Sequence, residues 1–415
     1  MSLSRQWSAL IAEIRTLDGF ADFRRPLTAA ELREAATDGP VVAFNVARSR
    51  CDAIVVRPNT VTPVSLGGLT AVDIHRIALR YVEAIERHQT HLGALHEART
   101  EAAATPNATT HRAYQRAAHD ELSAEAAMQD VLTATLAWLW DTVVEPVFKA
   151  CGLSGPPPPG TAWPRLWWCP TGMLTLLPLH AAGRHTELGH SAMDRAVMSY
   201  APTLRSLLES RSSTAGSPGG PMLLVAMPHT SGQADLPQVR REQRLLGALF
   251  GTEGLTTLEG PAASREDVLR AMRGHDRVHF SCHATSHPTR PAAAGVLLAD
   301  GLLSVAELAA DHQPRAFAFL SACKTGLGGI VLPDEAMALS AALHFTGIRH
   351  VIATLWSVED KAAAEVTESV YRNLFAEGTF AVEDAALALH RAVRELRARS
   401  PERPSSWMAY THTGP

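Results

Sequence analysis

The spacing of apolar positions along this chain changes period more than once. Trp7 to Arg15 has helical spacing, and Leu27 to Ala36 predicts a second helix, with Thr28 as N-cap and Glu31 three residues on. The period then shortens. Val41–Val46, Ala53–Val56 and Val61–Leu66 are apolar, β-rich runs between polar turns, and they predict the strands of a meander. From Ala71 to about Arg99, Ile74, Ile77, Tyr81 and Ile85 recur every three or four positions, which predicts a long helix. Thr100–Thr110 reads as a loop. Helix resumes from Ala113 through Phe148 on the stripe Leu132, Leu136 and Leu139. The proline-filled Gly155–Gly160 predicts a stiff linker.

After the linker, Arg165–Cys169, Met173–Leu177 and Val197–Tyr200 predict strands. The Ser- and Gly-rich stretch Ser210–Gly220 marks a boundary. It divides an N-terminal region, residues 1–211, from a C-terminal domain, residues 221–415. In the second region short apolar runs alternate with helical patterns, the mark of a parallel sheet covered on both faces. The runs are Met222–Ala226, Val278–Cys282, Ala316–Ala322 and His350–Leu355. The helices are Val239–Phe250, Arg265–Met272, Asp334–Phe345, Asp360–Ala376 and Ala381–Arg397. Trp407–His412 predicts a closing edge strand. No repeat of solenoid length is present.

Composition narrows the function classes. Apolar content is 46% and charged content 19%, enough to bury large cores. The formal net charge is −4, with Lys and Arg scattered, which argues against nucleic acid or an anionic membrane as a partner. No apolar run reaches the length of a membrane span, and the N-terminus lacks a signal pattern. The cysteines are Cys51, Cys151, Cys169, Cys282 and Cys323, odd in number and widely spaced. They fit a reducing cytoplasm, with neither a disulfide framework nor a CxxC zinc site. A soluble cytoplasmic protein without metal or cofactor is the expectation.

The candidate chemistry lies at the ends of two apolar runs. Val278–Cys282 delivers His283, and Ala316–Ala322 delivers Cys323. Open α/β sheets carry their chemistry at the carboxyl ends of strands, so neighbouring strands would set a base beside a thiol nucleophile. Cys323 on composition alone reads as a small buried residue. The glycines of Gly326–Gly329 favour the catalytic reading, because they let backbone and substrate approach closely. Adjacent strand residues face opposite ways, so Cys282 points into the core while His283 points out. His283 and His287 have an H-x3-H spacing, but across a strand end and Pro288 rather than on a helix, which argues against zinc. His344 and His350 read as structural or surface residues. Ser281, Ser321 and Ser340 lack a nucleophile elbow.

Four ordered segments carry a family resemblance: Val278-His279-Phe280-Ser281-Cys282-His283, Asp300-Gly301-Leu302-Leu303-Ser304-Val305, Leu320-Ser321-Ala322-Cys323-Lys324-Thr325-Gly326 and Val351-Ile352-Ala353-Thr354-Leu355-Trp356. Cys169-Pro170 to His180, Tyr200-Ala201-Pro202-Thr203-Leu204 and Gly39-Pro40-Val41-Val42 through Asp52-Ala53-Ile54-Val55 extend it over nearly the whole chain. Together they resemble the CHAT family, caspase-like clan CD cysteine peptidases related to separase and often found behind TPR arrays. The resemblance implies a caspase–hemoglobinase-like three-layer α/β fold with a mostly parallel sheet. A pseudo-caspase-like α/β half with long helices would precede it.

The resemblance further implies a His283–Cys323 dyad and an oxyanion hole from the backbone N–H groups of Ala284 and Cys323. Ala284 stands where the family usually has glycine, and Lys324 where an acidic residue is commoner. The segment after the last sheet strand, with Trp356, Glu359 and Asp360, would line a pocket whose negative charge favours a basic P1 residue. The competing reading has Asp360 capping the helix that starts at Lys361. The implied partners are a protein substrate and a regulatory protein or TPR or sensor module. The chain carries no TPR array of its own, and Met1-Ser2-Leu3 does not decide where the natural chain begins. The alternative function is a catalytically silent or gated scaffold acting as a protein-interaction module.

Overall fold

A computed structural model describes the chain apart from residues 1–2, 19, 21–22, 24, 213–219, 286–292, 311–312, 322–338, 357, 359 and 376–377. Helices α1 (Leu3–Ile14) and α2 (Ala29–Glu34) precede the meander β1 (Val41–Val46), β2 (Cys51–Val56) and β3 (Val61–Ser65). The expected cap of α2 is present as a capping box. Thr28 Oγ1 accepts from the Glu31 N–H at 3.2 Å, and the Glu31 carboxylate accepts from the Thr28 N–H at 2.6 Å. Helices α3 (Ala71–Ala104) and α4 (Ala108–Leu139) follow as a hairpin. Its connection is far shorter than the predicted loop. Thr105 leaves the helix because Pro106 follows it, and Asn107 restarts the helix by accepting from the N–H groups of Thr109 and Thr110.

A π turn at Trp140–Val144 leads into α5 (Glu145–Cys151), where Pro146 has no N–H to continue the ladder. Together the helical segment 108–151 is long and apolar enough to cross a membrane, although no unbroken apolar run in the sequence is. Half of its most apolar window is buried, and Met128, Leu132, Leu136 and Leu139 pack into the core, as in the central helix of a globular domain.

Strands β4 (Arg165–Cys169) and β5 (Val197–Tyr200) and helix α6 (Leu204–Ser212) come next. Met173–Leu177, expected as a strand, is instead a 3-10 turn over Gly172–Leu176. Gly172 opens it at φ +56° and Pro178 follows it, and a short all-apolar run has no periodicity to separate strand from buried helix. Beyond the boundary come β6 (Met222–Ala226), α7 (Val239–Gly254), β7 (Leu255–Glu259), α8 (Arg265–Met272) and β8 (Arg277–Ser281). Strands β9 (Ala284–Thr285), β10 (Gly295–Leu298) and β11 (Gly301–Ser304) form a small antiparallel sheet. The chain continues through α9 (Val305–Ala310), β12 (Arg315–Leu320), α10 (Leu339–Phe345), β13 (Ile348–Thr354), α11 (Asp360–Leu374), α12 (Ala385–Arg399) and β14 (Tyr410–Thr413).

Among the described residues the main sheet has 11 strands in the order β3-β2-β1-β4-β5-β14-β13-β12-β8-β6-β7. Most pairs are parallel; the β1–β2–β3 meander and the β13–β14 pair are antiparallel. The last strand is therefore central rather than an edge. β14 runs antiparallel to β13 and pairs parallel with β5, so one sheet continues from the N-terminal half into the C-terminal half. Strand β7, unforeseen in the sequence, takes the edge. In the C-terminal half, Leu224, Ala226, Phe317 and Phe319 pack on one face against α7 and α11. Leu223, Val225, Val278, Phe280 and Ala318 pack on the other with α8, α9 and α10. That gives three layers, with the carboxyl ends of β6, β8 and β12 side by side.

Candidate active site

His283 stands two residues past the last residue of β8, and its half-buried ring lies at the carboxyl edge of the sheet. Its Nε2 donates to the carbonyl oxygen of Ala234, in the loop after β6, at 2.7 Å. A carbonyl only accepts, so the proton of the neutral ring sits on Nε2 and Nδ1 is left as the basic nitrogen. The backbone is fixed as well, since the Leu297 N–H donates to the His283 carbonyl at 2.8 Å. Cys282 points the other way and is fully buried in the core under α8, as strand alternation requires.

β12 lies between β8 and β13, with Leu320 opposite Phe280, and the Ser321 N–H donates to the Phe280 carbonyl at 2.9 Å. The strand that leads to Cys323 is thus the immediate neighbour of the strand that leads to His283. Cys323 itself lies outside the described residues, as do His287 and Glu359. Ala284 is buried in β9 opposite Val296. Because His283 and Leu297 are hydrogen-bonded, antiparallel alternation puts Ala284 at a non-bonded position with its N–H turned away from β10. The extended backbone there suits alanine, and no left-handed conformation is involved.

Of the predicted pocket residues, Trp356 and the backbone of Asp360 are described. Trp356 is buried in the core, edge-to-face with Tyr81 of α3 at 5.9 Å. Asp360 is the first residue of α11, so its backbone is already helical. His344 and His350 are both buried: His344 Nδ1 donates to the Ile348 carbonyl at 2.9 Å, and His350 Nδ1 meets His412 Nε2 at 3.1 Å.

Sequence reasoning missed a buried polar cluster beneath the two strand ends. Glu242 of α7 is almost fully buried, and its carboxylate accepts from the hydroxyls of Ser281, Ser321 (2.5 Å) and Thr367 (3.0 Å) and from His279 Nε2 (3.2 Å). The Tyr371 hydroxyl meets Nδ1 of the same imidazole at 3.0 Å. Burial raises the Glu242 carboxyl, but the hydrogen bonds from His279, Ser281 and Ser321 outweigh it and hold it below the usual range. The available signal was a charged residue on an apolar stripe: Glu242 sits three residues after Val239 and four before Leu246, both buried.

A three-layer fold with a histidine at the carboxyl edge is the architecture of caspase-like clan CD proteases. Two crystal structures of the Saccharomyces cerevisiae separase–securin complex, at 3.0 and 2.6 Å resolution, match with TM-scores of 0.59 and 0.55. Each is 10% identical in sequence and matches over 93% of this chain, so the likeness concerns the fold. This chain spans only 30% and 31% of those chains. No curated protein sequence matches it. The sequence matches the CHAT domain over residues 133–415, well over half its length, and the chain belongs to the CHAT family.

Proposed function

We propose that the protein is a cysteine endopeptidase cleaving a protein substrate through His283 and Cys323. The observation that carries this reading is the Ala234–His283 hydrogen bond, which reserves Nδ1 for proton transfer beside the strand leading to Cys323. His283 Nδ1 takes the Cys323 thiol proton, the thiolate attacks the scissile carbonyl, and a thioester forms as the amine leaves with that proton from His283. The imidazole then takes a proton from water, whose attack on the thioester breaks the C–S bond, releases the acid and restores the Cys323 thiol with the proton from His283. The N–H groups of Ala284 and Cys323 hold the oxyanion, each donor contributing about 10²–10³ in rate. Alanine is at home in extended β9, so its presence in place of glycine does not by itself favour a silent scaffold. Negative charge from Glu359 and Asp360 favours a basic P1 residue. A regulatory protein or sensor module gates the site, as the separase structures are themselves complexes with securin.

The test is covalent labelling of the purified protein with peptidyl acyloxymethyl ketones bearing Arg or Leu at P1. Modification at Cys323, faster with Arg and lost in His283→Ala, is the expected outcome. Equal modification of all accessible cysteines, indifferent to His283, would turn the assignment toward the scaffold.

A further inference from the structure

The cluster around Glu242 belongs to the C-terminal half and joins the residues that lead into His283 and Cys323. Ser281 lies two residues before His283, and Ser321 two before Cys323. Both hydroxyls donate to one carboxylate, Ser321 to Oε1 and Ser281 to Oε2. The same carboxylate takes Thr367 of α11, the helix that follows the proposed pocket segment, and the His279 imidazole links it to Tyr371 on that helix.

Such an arrangement is costly unless it has a use. An ionised carboxylate removed from water needs its lone pairs filled, and apolar packing at the same place would stabilise the fold as well or better. Glu242 has both oxygens filled, by groups from three separate elements, which fixes the spacing of those elements. Ser281 lies beside Ala226 of β6, and the Ser321 N–H bonds to Phe280, so the carboxylate sits where β8 and β12 give up their ladder.

We propose that Glu242 is a positioning residue, a buried clamp that holds the carboxyl ends of β8 and β12, the strands that lead to His283 and Cys323, in mutual register through Ser281 and Ser321. This rests on the dyad reading above. Glu242 takes no part in the chemistry. Removing its charge lets the two strand ends drift while the thiol stays reactive.

The experiment compares two probes at Cys323 on the full chain, each followed by mass mapping of the modified cysteine. A peptidyl-Arg acyloxymethyl ketone requires an aligned site: the thiolate displaces the carboxylate leaving group and forms a thioether. Iodoacetamide requires only an accessible thiolate. In Glu242→Gln, kinact of the ketone falls roughly 10- to 100-fold, while KI and the iodoacetamide rate stay within about twofold of wild type. Ser281→Ala and Ser321→Ala, which each cut one link and leave the carboxylate in place, show the same split to a smaller degree. They decide the matter if Glu242→Gln does not fold. Unchanged kinact in the folded variants overturns the clamp, and so does an equal slowing of both probes. Wild type that the ketone leaves unmodified at Cys323 overturns the dyad reading itself, an outcome distinct from a labelled wild type whose variants match it.

Discussion

His180 and His390 line a small pocket of about 30 Å³ together with Tyr200 and His412, near where the two halves of the sheet meet. Burial pushes His180 down to about 4 and His390 down to about 3. The unfolded chain takes up these protons near pH 6.5 and the native state does not, so stability is full above pH 6.5 and falls as the pH drops toward 4 and 3. Each histidine contributes roughly 1.4 kcal/mol per pH unit in that window. Denaturant melts at pH 7 and pH 5 should show the loss, and His390→Gln should lose less between them. Parallel losses in both proteins would rule His390 out. At this scale the sequence was informative where a polar residue ends an apolar run, as at His283, which follows the carboxyl end of β8. It was silent where partners come from distant elements. Glu242, Ser281 and Thr367 lie 39 and 86 positions apart along the chain, and only the sheet brings them together.

Among the elements, most strands and helices of the C-terminal half were legible from period and turn residues alone. The exceptions share a cause: the run had no internal pattern, as at Gly172–Leu176, or its place depended on what it paired with. Trp407–His412 reads as an edge strand, yet the strand found there, β14, pairs with β13 and β5. The residue after it shows how tight that join is. Gly414 has φ +129°, its N–H donates to the Tyr200 carbonyl at 3.1 Å, and its carbonyl accepts from Trp167 Nε1 at 2.8 Å. The guanidinium groups of Arg165 and Arg211 lie 4.6 and 4.5 Å from the Trp167 ring. A Cβ at 414 would meet the Arg349 carbonyl oxygen at 2.1 Å. Gly414→Ala should therefore cost about 2–3 kcal/mol in chemical denaturation, through backbone strain and displaced strands. An unchanged midpoint would mean that the join is looser than this geometry.

Across the whole molecule, one sheet and two core faces hold His283 at a carboxyl edge, and the strand next to it runs on to Cys323. The fold was foreseen from ordered motifs, and it agrees with the CHAT match and the separase-like architecture. The N-terminal half adds a long helical hairpin whose base packs on the sheet through Ile74, Tyr81, Leu132 and Leu136. The most direct measurement is a comparison of new protein N-termini produced in cells by wild type and by Cys323→Ala. Cleavage sites that appear with wild type, cluster after one P1 type and vanish in Cys323→Ala are the predicted result. Identical N-termini from both proteins under activating conditions would contradict the peptidase reading.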